Sequence, residues 1–131
     1  MVIGNFALAE KEIKTFEDLE AWQVAHKFVL ETYRIAKIFP KNELYGLVSQ
    51  LRRAAVSITS NIAEGFSRYH YNDKIRFYHN ARGSLSEVKN CLILSGDLGY
   101  TKKEECNNLL NSAERVLKMI NGLIRSIEKQ K

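Results

Sequence analysis

The stretch Phe66-Ser-Arg-Tyr-His-Tyr-Asn-Asp-Lys-Ile-Arg-Phe-Tyr-His79 alternates aromatic rings with cations. Guanidinium and ammonium groups neutralise phosphates and release counterions. Exposed Tyr and His rings stack on unpaired bases. Arg52, Arg53, Arg68, Lys74 and Arg76 are therefore candidate phosphate contacts, and Tyr69 and Tyr71 candidate stacking platforms. The competing reading is an ordinary surface: Tyr78 falls on an apolar helical stripe, and long cationic side chains are mostly just solvated.

Other chemistries find less. His26, His70 and His79 do not form a His-Glu-x-x-His zinc pattern, and the paired Glu-x-x-His helices of di-iron bundles are missing. No Arg precedes any histidine at the spacing used by RNA-cleaving helical bundles. Glu17 and Glu20 make one Glu-x-x-Glu, as in magnesium-dependent hydrolases. At a helix start, acidic residues also interact favourably with the helix dipole. Gly65 and Gly83 stand alone and make no phosphate-cradling loop. Catalytic residues, metal ligands and cofactors are therefore expected to be none.

Charge points the same way. Twenty Lys and Arg face fifteen Asp and Glu, a net charge of +5. Within residues 44–83, Arg52, Arg53, Arg68, Lys74, Arg76 and Arg82 oppose only Glu64 and Asp73, a net +4. An anionic partner is favoured. Cys91 and Cys106 lie among apolar helical neighbours and read as small buried hydrophobes. Val2 to Ala9 has no basic residues before it and acidic ones after it, unlike a signal peptide. No run approaches the ~18 apolar residues of a membrane span. A cytoplasmic protein without a membrane partner is expected.

The elements that must hold these residues are four helices in one domain over residues 15–131, with residues 1–14 an extension that need not be ordered. The first helix is expected at Glu17–Phe39, with Thr15 and Asp18 as a capping box and Trp22, Ala25, Val29, Thr32, Ala36 and Phe39 on one face. Pro40 ends it. The second is expected at Glu43–Gly65, capped by Asn42, with Leu44, Leu47, Val48, Leu51, Ala55, Ile58, Ile62 and Phe66 inward. The third is expected at Asp73–Asp97, capped by Asn72, with Tyr78, Ala81, Leu85, Val88 and Leu92 inward. Thr101-Lys-Lys-Glu104 reads as a capping box opening the fourth. There, Cys106, Ala113, Ile120 and Ile127 recur every seven residues beside Leu110, Leu117 and Ile124. Short connections between long helices predict an all-α, antiparallel up-down four-helix bundle.

The second helix carries no charge from Ala54 to Ala63. A water-facing helix side usually bears Lys and Glu. Ser57, Ser60 and Asn61 point away from its core stripe, so a neighbouring helix or another subunit should cover them; a subunit interface is preferred. Arg82 flanks the third helix's apolar stripe and needs a partner. A Glu64–Arg82 ion pair is expected, with Asn61, Ser84 and Glu87 completing a structural polar network.

Five blocks then carry a resemblance: Phe16-Glu-Asp-Leu-Glu-Ala-Trp-Gln23, Phe39-Pro40, Gln50-Leu-Arg-Arg-Ala-Ala-Val-Ser-Ile58, Asn61-Ile-Ala-Glu-Gly65 and Arg76-Phe-Tyr-His-Asn-Ala-Arg-Gly-Ser-Leu-Ser-Glu87. In order and spacing they resemble the four-helix-bundle proteins encoded in bacterial 23S rRNA intervening sequences, over about residues 15–100. The resemblance implies a bundle that assembles into a ring or barrel, with a homopentamer expected. It also implies kinship with the accessory proteins of diversity-generating retroelements, which bind nucleic acid and a reverse transcriptase. Enzymatic activity is not implied.

The sequence is therefore read as a non-enzymatic homo-oligomer that binds nucleic acid, RNA in preference, through a basic surface. The alternative is a protein-interaction scaffold, with a reverse transcriptase as one kind of partner and nucleic-acid affinity incidental. A hydrolase using Glu17, Glu20 or Glu64 is the third reading.

Overall fold

A computed structural model describes residues 12–131. Most of the expected 1–14 extension, residues 1–11, lies outside the described residues, and residues 12–14 precede the first turn of helix. The described residues fold as a four-helix bundle without strands: α1 (Glu20–Ala36), α2 (Leu47–Ser67), α3 (Tyr71–Asp97) and α4 (Lys103–Gln130). Each helix packs against two others, α1 and α3 each lying between α2 and α4.

The apolar stripes explain the packing. Ala25, Phe28, Leu51, Ala55, Ile58, Ile62, Leu85, Val88, Leu92, Ala113, Val116 and Ile120 are almost fully sealed from water. Truncating one of the larger of these leaves a cavity, which typically costs about 2–5 kcal/mol. On α1 the true stripe includes Phe28 and Ile35, while Trp22 is only half-buried. Trp22 instead stacks on His26 at 4.6 Å and takes the edge of Phe16 at 5.3 Å, which accounts for that histidine without any chemistry. On α4, Leu109 and Val116 are buried more deeply than the expected Leu110, Leu117 and Ile127. A helix meeting two neighbours buries a face wider than a two-position heptad seam.

The helix ends depart most from expectation. Asp18 Oδ2 accepts the Thr15 amide at 3.1 Å, but this box closes a 3₁₀ turn, Phe16–Asp18, ahead of α1. Residues 37–39 leave α1, although Phe39 stays buried and tilts against Tyr100 at 5.7 Å. A second 3₁₀ turn, Lys41–Glu43, delays α2 to Leu47. Gly46 rather than Asn42 holds its cap position, and Glu43 Oε1 accepts the Leu47 amide at 3.2 Å. Glu43 Oε2 also accepts the Tyr100 hydroxyl at 2.8 Å, tying this turn to the turn before α4. The delay leaves Leu44 exposed instead of in the core. Asn72 lies inside α3, with His70 in the cap position.

The Thr101–Glu104 capping box does not form. Lys102 takes the cap position, and the Thr101 side chain is buried with its hydroxyl unpartnered. The chain reaches it through Gly99, whose φ of +79° suits glycine. The Gly99 and Tyr100 amides return to the Gly96 and Ser95 carbonyls, closing the end of α3.

Two glycines in helices have opposite surroundings. A Cβ at Gly65 would lie 2.7 Å from the Tyr78 ring and 3.1 Å from Phe77 Cβ, so α2 and α3 approach closely there. A Cβ at Gly83 meets nothing within 4 Å. Gly83→Ala should therefore stabilise the fold by about 0.5–1 kcal/mol, through reduced chain entropy in the unfolded state. Urea denaturation should show a higher midpoint at unchanged slope.

Candidate nucleic-acid interface

The turn between α2 and α3 gathers the aromatic and cationic residues. Three residues, 68–70, separate the helices, so the end of α2 and the first turns of α3 are held together. Phe77, on α3, is flanked by two guanidinium groups: Arg68 lies 4.7 Å and Arg76 4.6 Å from its ring centroid. Such contacts at exposed sites are worth about 0.5–1 kcal/mol and restrict where the cation points. Each Arg also meets a carboxylate, Arg68 with Glu64 at 3.2 Å and Arg76 with Asp73 at 3.8 Å. These exposed pairs are worth about 0–1 kcal/mol and yield readily to a competing anion. Tyr69 is 87% exposed and Tyr71 lies in the first turn of α3, also exposed. His70 packs edge-on against Tyr69 at 5.1 Å.

Lys74 has a different task. Its Nζ donates to the Phe66 carbonyl at 2.7 Å and the Gly65 carbonyl at 3.3 Å, and sits 5.5 Å from the Phe66 ring centroid. The Gly65 carbonyl also accepts the Arg68 amide at 3.3 Å, and an ammonium at this end of α2 meets the negative end of the helix dipole. Burial lowers the Lys74 ammonium below the usual lysine range. It is a cap of α2 turned toward the protein, not a free phosphate contact.

Arg52 and Arg53 stand apart from this turn. Arg68, just past the end of α2, lies sixteen positions beyond Arg52, about 24 Å along the helix at the usual rise. The Arg52 guanidinium lies 5.3 Å from the Tyr33 ring centroid. Both Arg line a recess of about 470 Å³ with Tyr33, Val56, Ser57 and Ser60. The four Arg thus lie at two sites, and Lys74 is engaged with the end of α2.

The polar network also differs from expectation. Glu64 pairs with Arg68, one helical turn on, and not with Arg82. Arg82 donates to Asn121 Oδ1 on α4 at 2.9 Å and lies 2.7 Å from His79 Nδ1. With the guanidinium as donor, His79 Nδ1 is the acceptor. Ser57 and Ser84 hydroxyls meet at 2.7 Å across α2 and α3, and Asn61 Nδ2 donates to the Ser57 carbonyl at 2.8 Å and to its hydroxyl at 3.0 Å. Glu87 is exposed and takes no part. Burial, with Glu87 as the smaller cause, pushes the Cys91 thiol up. Cys91 and Cys106 are both buried and free, as their apolar surroundings imply.

The uncharged face of α2 is thus partly covered from within. Ser57 and Asn61 are half-buried, Ser57 meeting Ser84 on α3 and Asn61 bonding back to Ser57 within α2, whereas Ser60 and Val56 remain exposed. Among the described residues, no group of three or more His, Cys, Asp or Glu could hold a metal, and no helix is long and apolar enough to cross a membrane.

The model of the 23S rRNA-intervening sequence protein family matches residues 17–122. The chain belongs to this family. Among the solved structures, a protein of unknown function from the S23 ribosomal protein family of Bacteroides thetaiotaomicron is similar, with a TM-score of 0.73 and 21% identity over 79% of this chain and 97% of that one. At that identity the likeness concerns the fold. Among curated proteins, none matches the chain.

The matched range includes every candidate contact named above, and also Asn121, the partner of Arg82. Sequence reasoning missed Asn121 because α4 carries no distinctive motif. It missed the role of Phe77 because an aromatic beside an apolar stripe reads first as core.

Tyr78 offers a pH test of the same helix pair. Burial pushes its phenol from 10.0 up to about 12. A raised folded-state value contributes stability that is complete below pH 10 and lost as pH rises through 12. The contribution is about 2–3 kcal/mol for a shift of this size. Thermal melts between pH 9 and about 12 should show a fall in stability that Tyr78→Phe makes shallower.

Proposed function

We propose that this protein is a non-enzymatic, self-associating helical module that binds nucleic acid, RNA in preference. Its helices run in up-down order, and its copies close into a ring for which five subunits is the expected count. The observation that carries the binding reading is the Arg68–Phe77–Arg76 stack beside the exposed Tyr69 and Tyr71. It holds two cations in defined directions next to two rings available for unpaired bases, the combination used for single strands. One turn is modestly charged: Arg68, Lys74 and Arg76 against Glu64 and Asp73 leave +1. Self-association raises this. Five copies would carry +25 in all, and a ring would repeat the turn around one axis and add the fields.

A second reading, a protein-interaction scaffold, draws support from one patch. Ile93, Leu94 and Leu98 are each about half exposed near the end of α3. On that reading a protein partner, of which a reverse transcriptase is one kind, docks there and RNA affinity is incidental.

Light scattering tests the main reading. The mass of the free protein should be a multiple of 15.1 kDa and should rise on adding a structured RNA with single-stranded loops. A 15.1 kDa particle unchanged by RNA would contradict both halves of the proposal.

A further inference from the structure

Two surfaces of the bundle are chemically complementary and lie at the same level on different flanks of α1. The first is the recess lined by Tyr33, Arg52, Arg53, Val56 and Ser60. Among the described residues, neither Arg forms an ion pair, and Arg52 Nε is buried without a hydrogen-bond partner. A guanidinium N–H left without an acceptor is costly. Val56 beside it is 42% exposed. The second surface is a cleft of about 310 Å³ between α1 and α4, lined by Glu31, Arg34, Ile38, Glu105 and Leu109 among others. Among the described residues, Glu31 and Glu105 form no ion pair, and Arg34 on the same rim leaves one net negative charge. Leu30 and Ile38 flank it, 48% and 56% exposed, on the stripe that Arg34 continues.

We infer that these two surfaces meet between neighbouring copies of the chain, with Arg52 and Arg53 of one copy received by Glu31 and Glu105 of the next. This rests on the self-association proposed above and adds which faces make the contact. Three observations select a second copy as the occupant. The charges are opposite, and among the described residues Arg52, Arg53, Glu31 and Glu105 form no ion pair. Both surfaces expose aliphatic side chains beside the charges, as the desolvated centre of an interface requires. And each face pairs poorly with itself, since Arg would meet Arg and Glu would meet Glu, which disfavours a two-fold dimer.

The contact is therefore heterologous, and a heterologous contact whose rotation closes makes a ring. On α1, Tyr33 belongs to the first surface and Glu31 and Arg34 to the second. At about 100° per residue these positions face different flanks within one turn of helix. Matched levels suit a ring whose axis runs along the helices. Ser60 and Val56, the exposed part of the uncharged α2 face, then become interface, and Arg52 and Arg53 are anchors between subunits and not RNA contacts.

Charge reversal on the full chain tests this. Arg52→Glu with Arg53→Glu, and separately Glu31→Arg with Glu105→Arg, should each lower the light-scattering mass toward 15.1 kDa, with subunit affinity weakened about a hundredfold or more. The circular dichroism of each should stay helical. All four changes in one chain should restore the assembly. Mixing the two double variants should raise the mass again, since each altered face then meets its complement, but as an alternating assembly of even subunit number, because strict alternation cannot close a ring of five; this arm serves if the fourfold variant fails to fold. An assembly that survives either reversal, or is regained by neither rescue, overturns the inference while leaving self-association standing. A monomeric unaltered protein would instead refute self-association itself.

Discussion

Replacing Arg68 and Arg76 together with Gln should weaken binding to a single-stranded RNA about ten- to a hundredfold at low salt. It should also make the salt dependence shallower, by about 1.4 in the slope of log K against log salt if each Arg meets one phosphate. Both side chains are solvent-facing and lie over the Phe77 ring at 4.6–4.7 Å. Their carboxylate partners are exposed, so stability should change by no more than about 1 kcal/mol. That separates lost binding from lost fold. Lys74→Gln should behave in the opposite way, because the Lys74 ammonium holds the Gly65 and Phe66 carbonyls. It should cost stability and leave the salt slope nearly unchanged. Fluorescence anisotropy with a labelled oligonucleotide, beside urea denaturation of the same samples, measures both quantities.

The second large effect concerns the fold beneath the turn. Gly65→Ala should destabilise the protein by about 1–3 kcal/mol, the range for forced overpacking. This holds even though Ala is intrinsically favoured over Gly in a helix by about 1 kcal/mol. The added Cβ would meet the Tyr78 ring at 2.7 Å, and Tyr78 is itself only 2% exposed, so the ring has nowhere to move. The helices must part instead, which also disturbs Phe77 and the guanidinium groups on it. Gly83→Ala is the matched control on α3, with an effect of opposite sign. A common shift in both variants would mean that helix propensity, and not close approach, decides at these positions.

These contrasts show what the sequence made legible. The four helices and the inward faces of α2 and α3 followed from periodicity, because burial on one face imposes it directly on residue type. Gly65 was legible only as a lone glycine at the expected end of the second helix; it lies within α2, and the position of Tyr78 explains it. The ends were less legible. Two 3₁₀ turns, Phe16–Asp18 and Lys41–Glu43, displaced the starts of α1 and α2, since capping side chains serve short turns as well as long helices. Thr101 has the pattern of a cap, yet the Gly99 turn and the burial of Thr101 itself direct its side chain elsewhere.

The candidate site was legible in composition and illegible in partition. Five cations look alike in a sequence. Only packing separates Lys74, drawn to carbonyl groups, from Arg68 and Arg76, laid over Phe77, and from Arg52 and Arg53, a helix length away. The expected Glu64–Arg82 pair failed for a similar reason. Glu64 had a nearer cation one turn on, in Arg68, and Arg82 had a neutral acceptor on α4, in Asn121, that no local pattern announces.

If the α2–α3 turn binds RNA through charge and stacking, the affinity of the unaltered protein for a single-stranded RNA should depend on salt from 50 to about 200 mM. Binding should be measurable at the low end, with a linear fall of log K with log salt and a slope of about −1.4 or steeper. No binding at 50 mM salt, or binding indifferent to salt over about a fourfold range, would contradict RNA binding by the turn.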